Sequence, residues 1–134
     1  MSIKNLEIRE LKILLDDRGE FFECIRSEHI DSKFGQIYIT TAFPTKVKGN
    51  HYHKRKTELF CVIQGKGELL LKDCSTKEQR TIKMGQENMI VVKIPNNVIH
   101  AIKNVGSEKM ILLGYISEPY DKDNTDTYKE IIME

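Results

Sequence analysis

The chain carries almost no net charge: 21 Lys and Arg stand against 20 Asp and Glu over 134 residues. So weak a field excludes a protein that covers nucleic acid or an anionic membrane with basic side chains. The runs Lys46-Val47-Lys48 and Lys54-Arg55-Lys56 could still meet a phosphate, although such runs are ordinarily solvated loops. Cysteine is scarce, and Cys24, Cys61 and Cys74 follow no disulfide-framework spacing. Cys24 and Cys61 lie in apolar runs, where a thiol packs as a small hydrophobe. The expectation is a reducing compartment and no disulfides. No apolar run approaches the ~20 residues of a membrane helix. Charges interrupt the first residues every few positions, unlike a signal peptide. These absences predict a soluble, cytoplasmic protein with neither nucleic acid nor membrane as partner. Low-complexity linkers and repeats of about 20–50 residues are missing too. The length suits one domain, 1–134.

A helical apolar stripe is also lacking, apart from a weak one near the C-terminus. Short runs of Ile, Val, Leu, Phe, Tyr and Thr fill the chain instead, with turn-forming residues between them. They predict strands at 10–15, 19–26, 36–43, 47–53, 58–64, 67–73, 78–84, 89–94, 98–104 and 109–116. Breaks fall at Asp16-Asp17-Arg18-Gly19, Ser32-Lys33, Pro44, Gly65-Lys66-Gly67, Asp73-Cys74-Ser75-Thr76, Gly85, Pro95-Asn96-Asn97 and Gly106-Ser107. Many short strands with Gly, Asn and Pro turns make an all-β architecture, closed or sandwiched. The polar ending 121–134 is expected to wrap the outside.

Three of the four histidines fall in two of these strands. Residues i and i+2 of a strand share a face, so His51 and His53 project together, away from Tyr52. Glu58 starts the next strand and shares its face with Phe60 and Val62; His100 shares one with Ile102 and Asn104. Imidazole and carboxylate are good ligands for Zn, Mn, Fe or Ni, but the same groups also suit a hydrogen-bonded cluster in a metal-free pocket.

The first segment reads His51-x-His53-x4-Glu58-x6-Gly65; the second places Pro95, His100 and Asn104 in order. Together they resemble the two motifs of the cupin superfamily, with Asn97 where glycine is usual. Asn tolerates the left-handed conformation a turn there needs. The resemblance implies a double-stranded β-helix, the cupin jelly-roll barrel. It also implies that His51, His53, Glu58 and His100 form the ligand set for a divalent metal, zinc first, with no organic cofactor.

The segments "DDRGEFFE" (16–23), "FGQIY" (34–38) and "VKGNHYH" (47–53) follow one another as in the dTDP-4-dehydrorhamnose 3,5-epimerase family. That likeness implies a nucleotide-binding role for Arg18, Phe21 and Glu23, and puts His51 on the catalytic base. It places Gln36, Tyr38 and His100 with the substrate and implies a homodimer, since segment 16–23 would reach across the interface. From Lys48 to Tyr128 the chain is also similar to the C-terminal cupin of capsular polysaccharide enzymes, and "HYHK" to that of sugar 3,4-ketoisomerases. All three families act on a UDP- or dTDP-linked 4-keto-6-deoxyhexose.

These likenesses imply a sugar-nucleotide epimerase acting at C3, or at C3 and C5, with 3,4-ketoisomerisation as the alternative. A base removes the proton α to the ketone, an oxyanion is stabilised, and re-protonation from the other face inverts the carbon. His51 or His53 suits the base; Tyr115, Tyr120 or Tyr38 suits the acid; Lys48 suits the enolate or the phosphate. A histidine nitrogen bonded to metal cannot also take the proton. A metal-dependent cupin oxygenase and a non-catalytic sugar-binding cupin are the rival readings.

Overall fold

The structure is a computed structural model that describes residues 3, 6–31 and 33–134. Ser32, at one expected break, lies outside the described residues. Twelve strands follow in chain order: β1 (Glu7–Glu10), β2 (Leu14–Asp16), β3 (Gly19–Phe21), β4 (Gln36–Ala42), β5 (Val47–Tyr52), β6 (Glu58–Gln64), β7 (Lys66–Asp73), β8 (Gln79–Gly85), β9 (Ile90–Ile94), β10 (Val98–Asn104), β11 (Met110–Ile116) and β12 (Tyr128–Lys129). The only helical element among the described residues is a 3-10 turn, Ser27–Ile30. No helix among them is long and apolar enough to cross a membrane.

Two five-stranded sheets form the barrel, ordered β1-β9-β6-β11-β4 and β12-β5-β10-β7-β8; β2 and β3 make a separate hairpin. Every pairing is antiparallel. Alternation decides what each face meets. On β6, Phe60 and Val62 point between the sheets, where they join Leu69, Leu71, Val92, Ile102, Met110 and Leu112. Each such fully buried aliphatic side chain stabilises the fold by about 1.5–3 kcal/mol.

The intervening residues Leu59, Cys61 and the partly buried Ile63 face outward with Val91 and Tyr115, and Leu11, Cys24, Ile25, Ile30 and Met89 pack against them. Both faces of this sheet are therefore buried in its middle, which explains why β6 reads as a continuous apolar run.

Two expected strands are corrected. The run 10–15 divides into β1 and β2, and 19–26 stops at Phe21 because residues 22–26 turn away to cover the outer face. The C-terminal stripe is no helix; after β11 the chain runs irregularly until β12 pairs with β5. Asn50 fastens this ending: its Oδ1 accepts from the Ile132 and Met133 amides, and its Nδ2 donates to the Met133 carbonyl. Asn97 adopts the left-handed conformation expected of it, φ 60°. Cys24 and Cys61, expected as unconnected small hydrophobes, touch, with Sγ atoms 3.9 Å apart.

Candidate active site

Between the sheets, at the end of the barrel where β5 and β6 are joined, lies a cavity of about 450 Å³. Strand β4 supplies Gln36, Tyr38 and Thr40 to its wall; β5 supplies Lys48 and His51; His53, Lys56 and Glu58 follow. Lys48 and His51 are an odd number of residues apart, so a regular strand would point them to opposite faces. A β-bulge removes the conflict. His51 pairs with His100 but Gly49 pairs with Ala101, leaving Asn50 as the extra residue. Gly49 and Asn50 both have positive φ, 99° and 61°, a conformation open to glycine and tolerated by asparagine.

On this wall, with His100 just behind it, three imidazole rings and one carboxylate converge. The ligand atoms of His51, His53, Glu58 and His100 all lie within 4.8 Å of one another. His53 Nδ1 donates to the Asp126 carbonyl (2.8 Å), and His100 Nδ1 donates to the Val98 carbonyl (3.1 Å). A carbonyl only accepts, so both rings carry their proton on Nδ1 and turn Nε2 toward Glu58. His53 Nε2 meets Glu58 Oε1 at 2.6 Å, and the Tyr38 hydroxyl donates to Oε2 at 2.6 Å. His100 Nε2 comes within 3.2 Å of Oε1 but makes no hydrogen bond, alone in this among buried side-chain polar atoms of the described residues.

Charge follows from this geometry. Burial opposes a charge on His53, but contact with Glu58 outweighs it and raises the pKa. Burial alone would raise Glu58; contacts with His100, His53 and Tyr38 instead hold its carboxyl well below the usual carboxylate range. Tyr38 is pushed far up by burial and by the Glu58 charge. His51 differs from its neighbours. Burial first, and then His100, lower its pKa to about 4, so a neutral imidazole faces the cavity.

The donor set fits a divalent ion of borderline softness. Imidazole and carboxylate converge, one buried Nε2 lacks any partner, and two histidines are oriented by carbonyls on their other nitrogens.

Other expected residues lie elsewhere. Tyr115 is on the outer face of β11, where its hydroxyl donates to the Lys33 carbonyl at 2.5 Å, so it does not reach the cavity. Tyr120 is on the cavity rim, exposed, with its amide bonded to Gln36 Oε1. Arg18 and Phe21 lie on the exposed β2–β3 hairpin, which does not line this cavity, and Arg18 pairs with Asp16. Glu23 follows the hairpin and pairs with Arg26.

Two residues of the site had not been anticipated. Lys56 is 2% exposed rather than solvated, lines the cavity, and donates to the Thr125 carbonyl. Its position two before Glu58 was the available signal, since extended residues two apart share a face. Asp126 holds His53 through its carbonyl, and its carboxylate accepts the amides of Lys54, Arg55 and Lys56. Nothing local to the histidine motif announces a residue so distant in the chain.

The model of the polysaccharide biosynthesis C-terminal domain family matches residues 14–128. The chain belongs to this family. It is 34% identical over 113 residues to a Pseudomonas aeruginosa protein named UDP-2-acetamido-2,6-beta-L-arabino-hexul-4-ose reductase, covering 84% of this chain and 29% of that protein. The capsular polysaccharide assembling protein CapF of Staphylococcus aureus superposes with a TM-score of 0.72 at 30% identity, over 91% of this chain and 34% of CapF. The chain thus spans about a third of these relatives. A dTDP sugar isomerase of Desulfovibrio desulfuricans superposes with a TM-score of 0.87 over 96% of this chain and 85% of its own, at 20% identity. The fold they share is the cupin jelly-roll barrel.

Proposed function

We propose that this family member is a sugar-nucleotide epimerase of polysaccharide or deoxysugar biosynthesis. It would remove the C3 proton of a nucleotide-linked 4-keto-6-deoxyhexose and return one to the opposite face. The observation that carries the reading is the His51 ring facing a cavity beside the buried His53–Glu58 pair, where burial favours its neutral form. The relatives' names supply the substrate class: one is a UDP-linked hexul-4-ose, a 4-ketone, and the other a dTDP sugar.

His51 accepts the C3 proton on an unprotonated ring nitrogen. Lys56 Nζ, anchored on Thr125, offers a cationic donor to the enolate oxygen, while the exposed Lys48 at the mouth meets the diphosphate. Tyr120 on the rim delivers the returning proton. Tyr38 suits that task poorly, because its hydroxyl is already committed to Glu58. Every step is redox-neutral, so no organic cofactor is required.

A divalent ion, zinc first, would be held by His53, Glu58 and His100. These three are buried, and both histidines among them have their Nδ1 fixed by a carbonyl. When bound, the ion supplies positive charge near the C4 oxygen. His51 then keeps its nitrogen free for the proton.

The β2–β3 hairpin supports a homodimer. It presents Leu14, Leu15 and Phe21 to solvent, and the edge strand β4 separately exposes Ile37 and Ile39. We place Arg18 and Phe21 in the partner's cavity, on its nucleotide.

Incubation with UDP- and dTDP-4-keto-6-deoxyhexoses in D₂O, followed by NMR, tests the reading. Deuterium at C3 with inversion is expected. Label at C5 as well would mean double epimerisation, and a ketone moved to C3 would mean 3,4-ketoisomerisation. No label with either nucleotide would remove the reading.

A further inference from the structure

The cavity does not involve the sulfur atoms behind β6. Cys61 sits at the centre of that strand, 1% exposed, and faces outward. Its Sγ lies 3.9 Å from Sγ of Cys24 and 3.8 Å from Sδ of Met89. Cys24, half-buried, belongs to the irregular segment after β3 that covers this face of the sheet. The contact links the cover segment to β6, beside a hydrogen bond from Arg9 Nη2 on β1 to the Cys24 carbonyl (2.7 Å).

We propose that Cys24 and Cys61 are a two-electron redox site that forms an intrachain disulfide on exposure to a peroxide, stapling the cover segment to the barrel strand that carries Glu58. The thiols already touch, and a bond needs their sulfurs at about 2.05 Å. Cys61 is fixed in a paired strand, whereas Cys24 lies outside regular structure and supplies the movement.

Access sets the order of events. Cys24 is the partly exposed thiol; contact with Cys61, and then the Arg9 guanidinium, hold its pKa below the ordinary thiol range against the opposing effect of burial. Contact with Cys24 and burial push Cys61 the other way. The Cys24 thiolate attacks one peroxide oxygen, the O–O bond breaks, and the leaving hydroxide takes a proton to become water. Cys24 is then a sulfenic acid. Cys61 attacks that sulfur, the S–S bond forms, and the sulfenic hydroxide leaves as water with the proton from Cys61. Two thiols lose two electrons in all, and one peroxide becomes two waters. A dithiol reductant reverses the change.

Cys74 provides an internal control, since burial and nearby acidic groups raise its pKa and the other two thiols are paired with each other. The reduced full chain is treated with hydrogen peroxide, denatured, alkylated with N-ethylmaleimide and examined by mass spectrometry. The expected result is loss of two of the three reactive thiols, a mass lower by two hydrogens before alkylation, and a Cys24–Cys61 linked peptide that dithiothreitol abolishes. In Cys61→Ser, dimedone should capture Cys24 as the sulfenic acid. Three alkylated thiols after treatment would overturn the proposal. So would Cys24 at the sulfinic stage with Cys61 still reactive, or a link only between chains. The wild-type measurement decides the matter even if the variant folds poorly.

Discussion

At the residue scale, the two histidines of the His-x-His motif have different surroundings, and their replacements should differ too. His51 has a depressed pKa and an open face on the cavity, whereas His53 is buried and tied at both ring nitrogens. His51→Ala should lower turnover by ~10²–10⁴-fold, the range of general-base catalysis, while the protein purified without a histidine tag keeps about one equivalent of metal. Glu58→Gln and His100→Ala should lose the metal. Elemental analysis of the untagged proteins, with turnover measured in EDTA, checks this. Wild-type protein holding under roughly a tenth of an equivalent, yet fully active, would reject the metal site.

The pH profile tests the same residue. A base must be unprotonated, and His51 loses its proton near 4 rather than at the ordinary 6.5. The rate kcat/KM should therefore stay level as pH falls from about 8 to 5 and decline only below that range. A limb near 6.5 would assign the proton transfer to an ordinary, unshifted histidine.

At the element scale, strand parity made most of the barrel legible in the sequence. The runs 58–64 and 98–104 coincide with β6 and β10, because both are bounded by turns and packed on both faces. Parity could also have excluded Tyr115, which alternates with the inward Met110, Leu112 and Gly114. The bulge at Asn50 was not legible, since its extra residue becomes visible only when β5 is set against β10. Lys56 was hidden in a basic run, and Asp126 in a polar ending far from the site it supports.

Gly114 is the element-scale counterpart of Tyr38, its cross-strand partner on β4. A Cβ at this position would fall within the Tyr38 ring, so the glycine provides the space through which Tyr38 reaches Glu58. Gly114→Ala should cost about 1–3 kcal/mol in a denaturant titration, as overpacking does, and should lower turnover by displacing the Tyr38 hydroxyl. Unchanged stability and rate would mean that the strand yields without moving the tyrosine.

At the scale of the whole molecule, the question is which cavity the hairpin serves. Within one chain, Arg18 and Phe21 stand apart from His51, yet the resemblance that drew attention to all three places them on one substrate. In the proposed homodimer a second copy would reconcile the two, and the apolar residues exposed on the hairpin and on β4 are available to it. Arg18→Ala and His51→Ala should then each be nearly inactive alone, one for want of a nucleotide contact and the other for want of a base. When the two proteins are mixed and allowed to exchange subunits, about half of the dimers are mixed. In each of these the intact cavity of one chain meets the intact hairpin of the other, and the second site carries both defects. Activity should return to roughly a quarter of the parent value. If the hairpin instead served its own chain, every site in the mixture would retain one defect and mixing would restore nothing. Size-exclusion chromatography of the mixture separates that outcome from a failure to dimerise, because a protein that stays monomeric cannot exchange partners at all.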